Sequence, residues 1–424
     1  MINNIYKIII YILDNLSKRK FHLFTQHPNY FGTIQNAKKY VGEFDVKVVE
    51  NFEEKFSRII GDGYSVSFGA GRMGFYSLMK ILKIQKGDEV IICSGTCSVM
   101  VNAILKLNAV PIFSDICEYT MGSDLNGIKN KITSKTKLIV AQHNFGIPCS
   151  IVEIKSFCNL NNIFLLEDCA LSLGSKYNGI NVGTFGDASL FSLDHSKPLP
   201  VFTGGIIYSK NLEFNLKLKK YRDELQDLNK TKQKAIFNKL SVNNKLNHPK
   251  LYRFLFLANI STSIKIKMGF TSPYLDENYR AYSDKETYEY PSKMPAFIAY
   301  LGLRLIENWD KIIENRLKNF HFILNSFKTS KFHDCIPDIY FDSKFEIIPL
   351  RFILIDSNNV NLESLLSKYI DIKSTWFKSP VISTNDKLLS FNYKSNSCPK
   401  SELLGKQIIN LPLEYKITEI NKIL

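Results

Sequence analysis

Between residues 64 and 208 the sequence alternates short β-rich apolar runs with segments of helical pattern. Strands that are almost continuously apolar are expected in a mainly parallel sheet covered by helices on both faces. In such a sheet functional groups lie at the carboxyl ends of the strands. The predicted strands are Tyr64–Phe68, Glu89–Cys93, Val110–Phe113, Leu138–Gln142, Ile163–Leu166, Ala188–Leu193 and Gly205–Tyr208. The predicted helices between them are Arg72–Leu82, Ser98–Leu107 and Ile151–Leu160.

Beyond residue 210 this alternation ends. Lys210–Asn243 is polar with a helical pattern, Lys245–Tyr290 is aromatic and irregular, and one long helix is predicted from Ala296 to about Phe327. The last hundred residues indicate a smaller α+β unit, with a strand at Phe345–Leu354, a helix at Leu362–Tyr369 and a terminal helix after Pro412. The expected domains are an N-terminal helix and arm (1–50), a large domain (51–290) with an insertion at about 210–290, and a small domain (291–424).

The 424 residues carry a formal charge of +15, and 45% of them are hydrophobic, which excludes an intrinsically disordered chain. The charge fits nucleic acid, anionic lipid or a phosphorylated small molecule, but the lysines are scattered and a solvated surface accounts for them equally well. Because no nucleic-acid-binding module is recognisable, a nucleic-acid partner is not expected.

The eight cysteines contain no Cys-x-x-Cys pair, which argues against a zinc site, so no metal is expected; free thiols in a reducing cytoplasm are the simplest arrangement. The apolar run Ile8–Leu13 is far too short to span a bilayer, so no transmembrane segment is expected. The predicted first helix, Asn4–Ser17, could dock on the protein's own body or rest on a membrane surface.

A glycine turn, Gly69 to Gly74, follows the first predicted strand and matches G-x-G-x-x-G. A dinucleotide site also requires a carboxylate at the end of the next strand, and Ile91–Gly95 contains none. Two interpretations remain: a helix N-terminus at Gly71 that binds an anion such as phosphate, or a purely structural turn.

Two further strand ends carry reactive groups. Asp168 follows Ile163–Leu166; Ser192 lies near the end of the strand Ala188–Leu193, and Lys197 follows that strand. A lysine there could be an imine-forming nucleophile, and a carboxylate could pair with a protonated pyridine nitrogen. With an anion cradle at Gly71, these are the parts that pyridoxal 5′-phosphate requires.

In their order and spacing, these residues resemble the DegT/DnrJ/EryC1/StrS family of sugar aminotransferases. The resemblance runs from about Asn51 to Leu424 and implies the fold of fold-type-I pyridoxal-phosphate enzymes. The motifs that carry it are Phe52–Phe56, Gly87–Ile91, Pro111–Asp115, His143–Pro148, Glu167–Ala170, Gly183–Asp187, Phe191–Lys197, Met294–Asp310 and Ile409–Pro412.

The resemblance implies a role for each matched residue. Lys197 would bind the cofactor covalently and then move the proton between substrate and cofactor, and Asp168 would keep the pyridine nitrogen protonated. Ser192, Gly71 and Arg72 would bind the phosphate. His143 and His195 are expected to lie near the substrate, and a purely structural role for His195 is equally open. Lys293 is expected to direct its positive charge toward the phosphate of a neighbouring subunit.

The chain also departs from the family pattern. Cys97 stands where an aromatic residue usually stacks on the cofactor ring. Leu171 replaces a glutamine that binds the ring hydroxyl, and Leu173 replaces a histidine. Pro291–Lys293 replaces an Asn-Tyr-Arg stretch, although Asn278–Arg280 lies upstream.

The resulting hypothesis is a homodimeric aminotransferase that moves an amino group from glutamate to a nucleotide-linked keto-sugar, often a 4-keto-6-deoxyhexose, for O-antigen or another surface polysaccharide. One family branch has histidine in place of the lysine and dehydrates its sugar. The interval of five from Ser192 places Lys197, and not His195, at that position, which favours amino transfer. A pyridoxal-phosphate sugar dehydratase and a non-catalytic regulatory homologue remain the alternatives.

Overall fold

The computed structural model describes residues 21–22, 33–246, 251–275, 288–357, 361–372, 375–384, 387–414, 416–422 and 424. The expected helix Asn4–Ser17 lies outside these residues. The strands are β1 (Phe21–His22), β2 (Tyr64–Phe68), β3 (Glu89–Cys93), β4 (Thr96–Cys97), β5 (Val110–Ser114), β6 (Thr136–Gln142), β7 (Phe164–Asp168), β8 (Lys176–Tyr177), β9 (Ile180–Asn181), β10 (Ala188–Ser192), β11 (Gly205–Ser209), β12 (Phe345–Glu346), β13 (Arg351–Ile355), β14 (Ile370–Asp371), β15 (Val381–Ile382) and β16 (Ile408–Pro412). The α-helices are α1 (Thr33–Ala37), α2 (Val46–Ile60), α3 (Gly71–Ile81), α4 (Ser98–Leu105), α5 (Leu125–Lys129), α6 (Ile151–Asn161), α7 (Leu212–Asp223), α8 (Lys230–Leu246), α9 (Tyr252–Lys267), α10 (Ala296–Ile306), α11 (Trp309–Lys328), α12 (Leu362–Ser367) and α13 (Pro399–Gln407).

Seven strands form one sheet in the order β2–β11–β10–β7–β6–β3–β5. Strand β11 runs antiparallel to both of its neighbours, and the other neighbouring pairs are parallel. Side chains on both faces are buried: Val140 belongs to the larger core cluster, and Ile139 packs with Ile151 and Ile154 of α6. The predicted mainly parallel α/β sheet is therefore confirmed.

The register of this sheet brings three strand ends to the same edge. Gln142 at the end of β6 is the direct neighbour of Asp168 at the end of β7. Asp168 pairs with Leu190 of β10, so Ser192 extends that strand two residues further. The groups that follow these strands therefore meet at one edge, as the parallel pattern predicted.

The C-terminal part contains a separate antiparallel pair, β13 and β16. Phe352 of β13 and Leu411 of β16 share a core cluster with Phe320 and Phe327 of α11. Strand β15 instead pairs in parallel with β4, which joins the C-terminal part to the Thr96–Cys97 segment. An α+β unit is present as predicted, while the domain boundaries remain predictions.

The predicted long helix from Ala296 to Phe327 is wrong in one respect, because it is two helices, α10 and α11. The amide of Asn308 donates to Leu305 O at 3.0 Å. In a continuous helix the backbone amide of Asn308 would donate to Arg304 O, four residues earlier. Here the side-chain amide of Asn308 donates to that oxygen instead, at 2.9 Å. The side chain thus replaces the backbone bond and breaks the helix.

Three other predictions require correction. The strand at Phe345–Leu354 is divided between β12 and β13, which pair with β8 and β16 in different sheets. The segment Lys245–Tyr290 contains helix α9, and in the segment after Pro412 the described residues form a short 3₁₀ helix at Thr418–Lys422. The division of the strand depends on tertiary pairing that local pattern does not reveal.

All eight cysteines are free thiols, as the sequence predicted. None of the helices in the described segments combines the length and apolar character needed to cross a membrane.

Candidate active site

A cavity of about 490 Å³ opens at the carboxyl edge of the sheet. Its wall combines the ends of β7 and β10, the turn after β2, the β4 segment and residues 376–384 of the C-terminal part. It contains seven of the nine predicted site residues: Gly71, Arg72, Cys97, Asp168, Ser192, His195 and Lys197.

The glycine turn directs a helix N-terminus at the cavity. Intrahelical bonding in α3 begins with Met73 and Gly74, whose amides donate to Ala70 O at 3.1 and 3.2 Å. The Gly71 and Arg72 amides therefore precede the hydrogen-bond ladder and lie at the positive end of the helix dipole. Gly205 makes this possible, because a Cβ there would lie 2.2 Å from the Gly71 nitrogen.

Ser192 faces this helix N-terminus from the end of β10. A Cβ on Gly71 would lie 3.4 Å from Ser192 Cβ and 3.6 Å from its Oγ, in van der Waals contact with the serine, so a side chain at position 71 would fill the space between the two residues. Arg72 lines the same side, and its guanidinium donates to Tyr288 Oη at 3.4 Å. A hydroxyl, a guanidinium and helix amides form an anion-binding arrangement.

Asp168 supplies a buried carboxylate, only 5% exposed. Its Oδ1 accepts the Ala170 amide at 3.0 Å. Burial raises the pKa of this carboxyl, and the Ala170 bond together with the charges of Lys197 and His143 offsets only part of that effect. A cation placed against Asp168 would therefore be held strongly.

Lys197 stands on a turn that leaves β10. The turn is fixed by Asp194, which accepts the Lys197 amide on its carbonyl at 3.1 Å and binds His195 Nδ1 with its carboxylate at 2.6 Å. Burial opposes ionisation of Asp194, yet His195, Lys197 and Arg72 together lower its pKa to about 2. The turn thus carries a stable negative charge beside the amine.

Lys197 Nζ lies 5.1 Å from the centre of the Trp376 ring. The same ring also contacts the fully buried Arg351, whose guanidinium carbon lies 3.4 Å from the ring centre. Asn410 Oδ1 binds both the Trp376 amide, at 2.9 Å, and Arg351 Nη1, at 3.2 Å. The C-terminal part therefore supplies a rigid aromatic wall that the sequence analysis missed, since no strand-end pattern marks it.

The side of the cavity away from Ser192 is largely apolar. Leu171 is 5% exposed and packs in one cluster with Phe145, Trp376 and Phe377. Leu173 is also buried, but in the larger core. Cys97 lines the cavity on β4, where the resemblance placed an aromatic residue.

Two buried polar atoms on this apolar side accept or donate no hydrogen bond among the described residues: Gln142 Oε1 and Thr96 Oγ1. Both side chains line the cavity. Sequence analysis did not identify them, although Gln142 ends a predicted strand and that position was a usable signal.

His143 does not reach the cavity, contrary to the prediction that it contacts substrate. It is fully buried, its Nδ1 accepts the Cys149 amide at 2.9 Å, and its Nε2 lies 3.1 Å from Glu167 Oε2. Glu167 also accepts the amides of Gly183, Phe185 and Gly186. With Cys169 these residues have the composition of a metal site, but hydrogen bonds occupy the histidine and the carboxylate, which fix the end of β7.

Lys293 also lies outside the cavity wall. Its Nζ is 4.9 Å from the centre of the Phe44 ring, and its amide donates to Gln226 O at 3.1 Å. The predicted contact with a neighbouring subunit stays a prediction. Asn278–Arg280 lies outside the described residues.

Comparison with known proteins finds a family that part of the chain matches in sequence. Residues 41–249 match the model of the DegT/DnrJ/EryC1/StrS aminotransferase family. The chain is 37% identical over 163 residues to GDP-perosamine synthase of Escherichia coli O157:H7, and 33% identical over 165 residues to that of Vibrio cholerae. These alignments cover 38% and 39% of this chain and 45% of each relative, so the match spans about half of the relatives' length.

Solved structures extend the similarity in fold over nearly the whole chain. The aminotransferase of Psychrobacter cryohalolentis superposes with a TM-score of 0.67 at 18% identity, over 92% of both chains. The E. coli GDP-4-keto-6-deoxy-D-mannose-3-dehydratase gives 0.65 at 20% identity, over 94% of this chain and 95% of that one. Residues 41–249 therefore match the DegT/DnrJ/EryC1/StrS aminotransferase family in sequence, and the solved structures show the same fold over nearly the whole chain.

Proposed function

We propose that the protein is a pyridoxal-phosphate-dependent aminotransferase that moves an amino group from glutamate to a nucleotide-linked keto-sugar. The observation that carries this proposal is the meeting of Lys197, Asp168 and the Gly71–Ser192 gap in one cavity. An amine, a buried carboxylate and an anion-binding turn are three different kinds of group, and pyridoxal phosphate requires all three.

The residues present fit pyridoxal 5′-phosphate on the structure's own evidence. The gap between Gly71 and Ser192 would be filled by a Cβ, and the adjoining helix amides suit a phosphate. The cavity of about 490 Å³ lies within the usual size range of cofactor sites. When bound, the cofactor supplies an electron sink for the carbon that loses its proton.

Each protein group then has a definite task. Gly71, Arg72 and Ser192 would hold the phosphate, and Asp168 would pair with the protonated pyridine nitrogen. Lys197 Nζ would hold the reacting end of the cofactor and, once released from it, would be the base that moves the proton between substrate and cofactor. Trp376 limits the position of that amine on one side.

The substrate class is proposed from the relatives. Two of them are GDP-perosamine synthases, and another is a dTDP-4-dehydro-2,3,6-trideoxy-D-glucose 4-aminotransferase of Saccharopolyspora spinosa. These names support a nucleotide-linked keto-sugar, with a 4-keto-6-deoxyhexose as the specific proposal. A role in O-antigen or another surface polysaccharide follows from that sugar class.

We further propose a cytoplasmic homodimer. Eight free thiols suit a reducing compartment. Lys293, which lies in the segment that replaces the family's Asn-Tyr-Arg stretch, is the cation proposed to reach the phosphate site of the second subunit.

Product analysis tests the activity. The purified protein, loaded with pyridoxal phosphate, is incubated with GDP-4-keto-6-deoxymannose and ¹⁵N-glutamate, and the products are identified by mass spectrometry. A ¹⁵N-labelled amino-sugar nucleotide together with 2-oxoglutarate is the expected result. Release of water from the sugar without nitrogen transfer would support the dehydratase instead. Failure to bind the cofactor at all would support a non-catalytic homologue.

A further inference from the structure

The orphaned carbonyl of Gln142 points to a role in cofactor binding that the family pattern does not assign to this residue. Gln142 is 4% exposed, lines the cavity, and its Oε1 accepts no hydrogen bond among the described residues. A buried carbonyl without a hydrogen-bond donor is unfavourable, so such an atom in a cavity wall indicates a ligand that donates to it.

The orientation of this amide follows from its hydrogen bonds. Asn144 Nδ2 donates to Met121 O at 2.7 Å, which turns Asn144 Oδ1 toward Gln142. Gln142 Nε2 then donates to Asn144 Oδ1 at 2.6 Å and to Gly95 O at 2.8 Å. Rotating the amide by half a turn would place Oε1 against two acceptors, so the carbonyl is the end that remains for a ligand.

The strand order defines which part of the cofactor meets Gln142. In pyridoxal phosphate the phosphate arm and the ring hydroxyl lie on opposite sides of the axis from the ring nitrogen to the reacting carbon. With the nitrogen at Asp168 on β7 and the phosphate at Ser192 on β10, the hydroxyl side faces β6. Gln142 ends β6 and is the direct register neighbour of Asp168.

We propose that Gln142 Oε1 accepts the proton of the cofactor's ring hydroxyl and replaces the partner that Leu171 cannot provide. This inference rests on the proposed cofactor. Because Oε1 is an acceptor, it binds the neutral hydroxyl and disfavours its ionised form. Thr96 Oγ1, on the same side of the cavity, is a hydroxyl that can donate to the same oxygen.

The test compares pyridoxal 5′-phosphate with its 3-deoxy analogue, which lacks only the ring hydroxyl. Dissociation constants are measured by fluorescence titration for the wild type and for Gln142→Leu. We expect the wild type to bind pyridoxal phosphate about tenfold more tightly than the analogue, the magnitude of one buried hydrogen bond. Gln142→Leu should bind the two compounds within about twofold of each other, because the paired partner is gone.

A control separates this contact from general damage. Gln233 is also a buried glutamine, 4% exposed, whose Oε1 accepts the Gly42 amide at 2.9 Å and whose Nε2 donates to Leu228 O at 2.7 Å, outside the cavity wall. Gln233→Leu should retain the tenfold preference for pyridoxal phosphate whatever it does to folding stability.

A spectroscopic titration gives a second readout. The absorption band of the bound cofactor changes when its ring hydroxyl ionises. In Gln142→Leu this change should occur at lower pH than in the wild type, because the acceptor that favours the neutral hydroxyl is absent. The role of Gln142 would be overturned if Gln142→Leu and wild type preferred pyridoxal phosphate over the 3-deoxy analogue equally and if the absorption band changed at the same pH in both. Absence of cofactor binding by the wild type would instead overturn the proposed function.

Discussion

The two sides of the cavity differ in the chemical groups that line them. The side at Gly71 and Ser192 is made of backbone amides, a hydroxyl and a guanidinium that follow directly from the ends of two strands. The side at Leu171 and Trp376 is mostly apolar, and its polar content includes Gln142 and Thr96. The first side can bind an anion through local geometry alone, whereas the second depends on the packing of distant segments.

This contrast predicts that cofactor affinity and catalytic rate depend on different parts of the cavity. Removing a polar group on the phosphate side should mainly weaken cofactor affinity. Changes at the reacting centre between the two sides should mainly reduce turnover, and changes on the apolar side should mainly affect folding stability and the ring hydroxyl.

Lys197→Ala should have the largest effect, a loss of about 10⁴-fold in kcat, because the group that carries the proton is removed. Steady-state assay of glutamate-dependent sugar amination checks it. Lys86→Ala, an exposed lysine outside the cavity wall, is the matched control and should leave kcat unchanged. Comparable kcat values for Lys197→Ala and wild type would exclude the assigned role.

Asp168→Asn should lower kcat by about 10²-fold, because a neutral amide no longer keeps the pyridine nitrogen protonated. The phosphate side is intact, so the cofactor dissociation constant should rise less than kcat falls. Stopped-flow measurement of the glutamate half-reaction checks the first value and equilibrium titration the second. If Asp168→Asn lost cofactor affinity but kept the wild-type kcat, Asp168 would act in cofactor binding and not in the reaction.

Ser192→Ala should weaken cofactor affinity about tenfold, since one hydrogen bond to a charged phosphate is lost. At saturating cofactor its kcat should stay within about twofold of the wild type. Titration with pyridoxal phosphate, followed by assay of the loaded enzyme, checks both values. A rate defect that persists at saturation would show that the phosphate side also orients the reacting carbon.

Leu171→Gln should lower the free energy of unfolding by about 2 kcal/mol, because a polar amide enters the cluster of Phe145, Trp376 and Phe377. Urea denaturation of the cofactor-free protein measures this change. An unchanged stability together with tighter cofactor binding would mean that the new amide reaches the ring hydroxyl and shares the position of Gln142.

Asp194 gives the smallest predicted effect. Its pKa of about 2 lies below the ordinary value, so the stabilisation that it contributes is complete above about pH 4 and is lost as the pH falls toward 2. The difference in unfolding free energy between wild type and Asp194→Asn should therefore shrink over that interval. A difference independent of pH would show that the carboxylate charge does not hold the turn.

The strand alternation predicted the sheet and, with it, the convergence of Asp168, Ser192 and Lys197, because parallel strands end at one edge. Other parts were not predictable for physical reasons. Trp376 reaches the cavity through the pairing of β15 with β4, which no local pattern specifies. The break at Asn308 depends on one side-chain hydrogen bond, and His143 was placed by its motif although its ring is turned toward Glu167.

The central claim, that Lys197 holds the cofactor covalently opposite Asp168 and the Gly71–Ser192 cradle, is tested most directly by reductive trapping. The protein is incubated with pyridoxal 5′-phosphate, treated with borohydride, digested and analysed by mass spectrometry. We predict one phosphopyridoxyl group on the peptide that contains Lys197, and none on that peptide in Lys197→Ala. Modification of other lysines with Lys197 unlabelled, at saturating cofactor, would contradict the account.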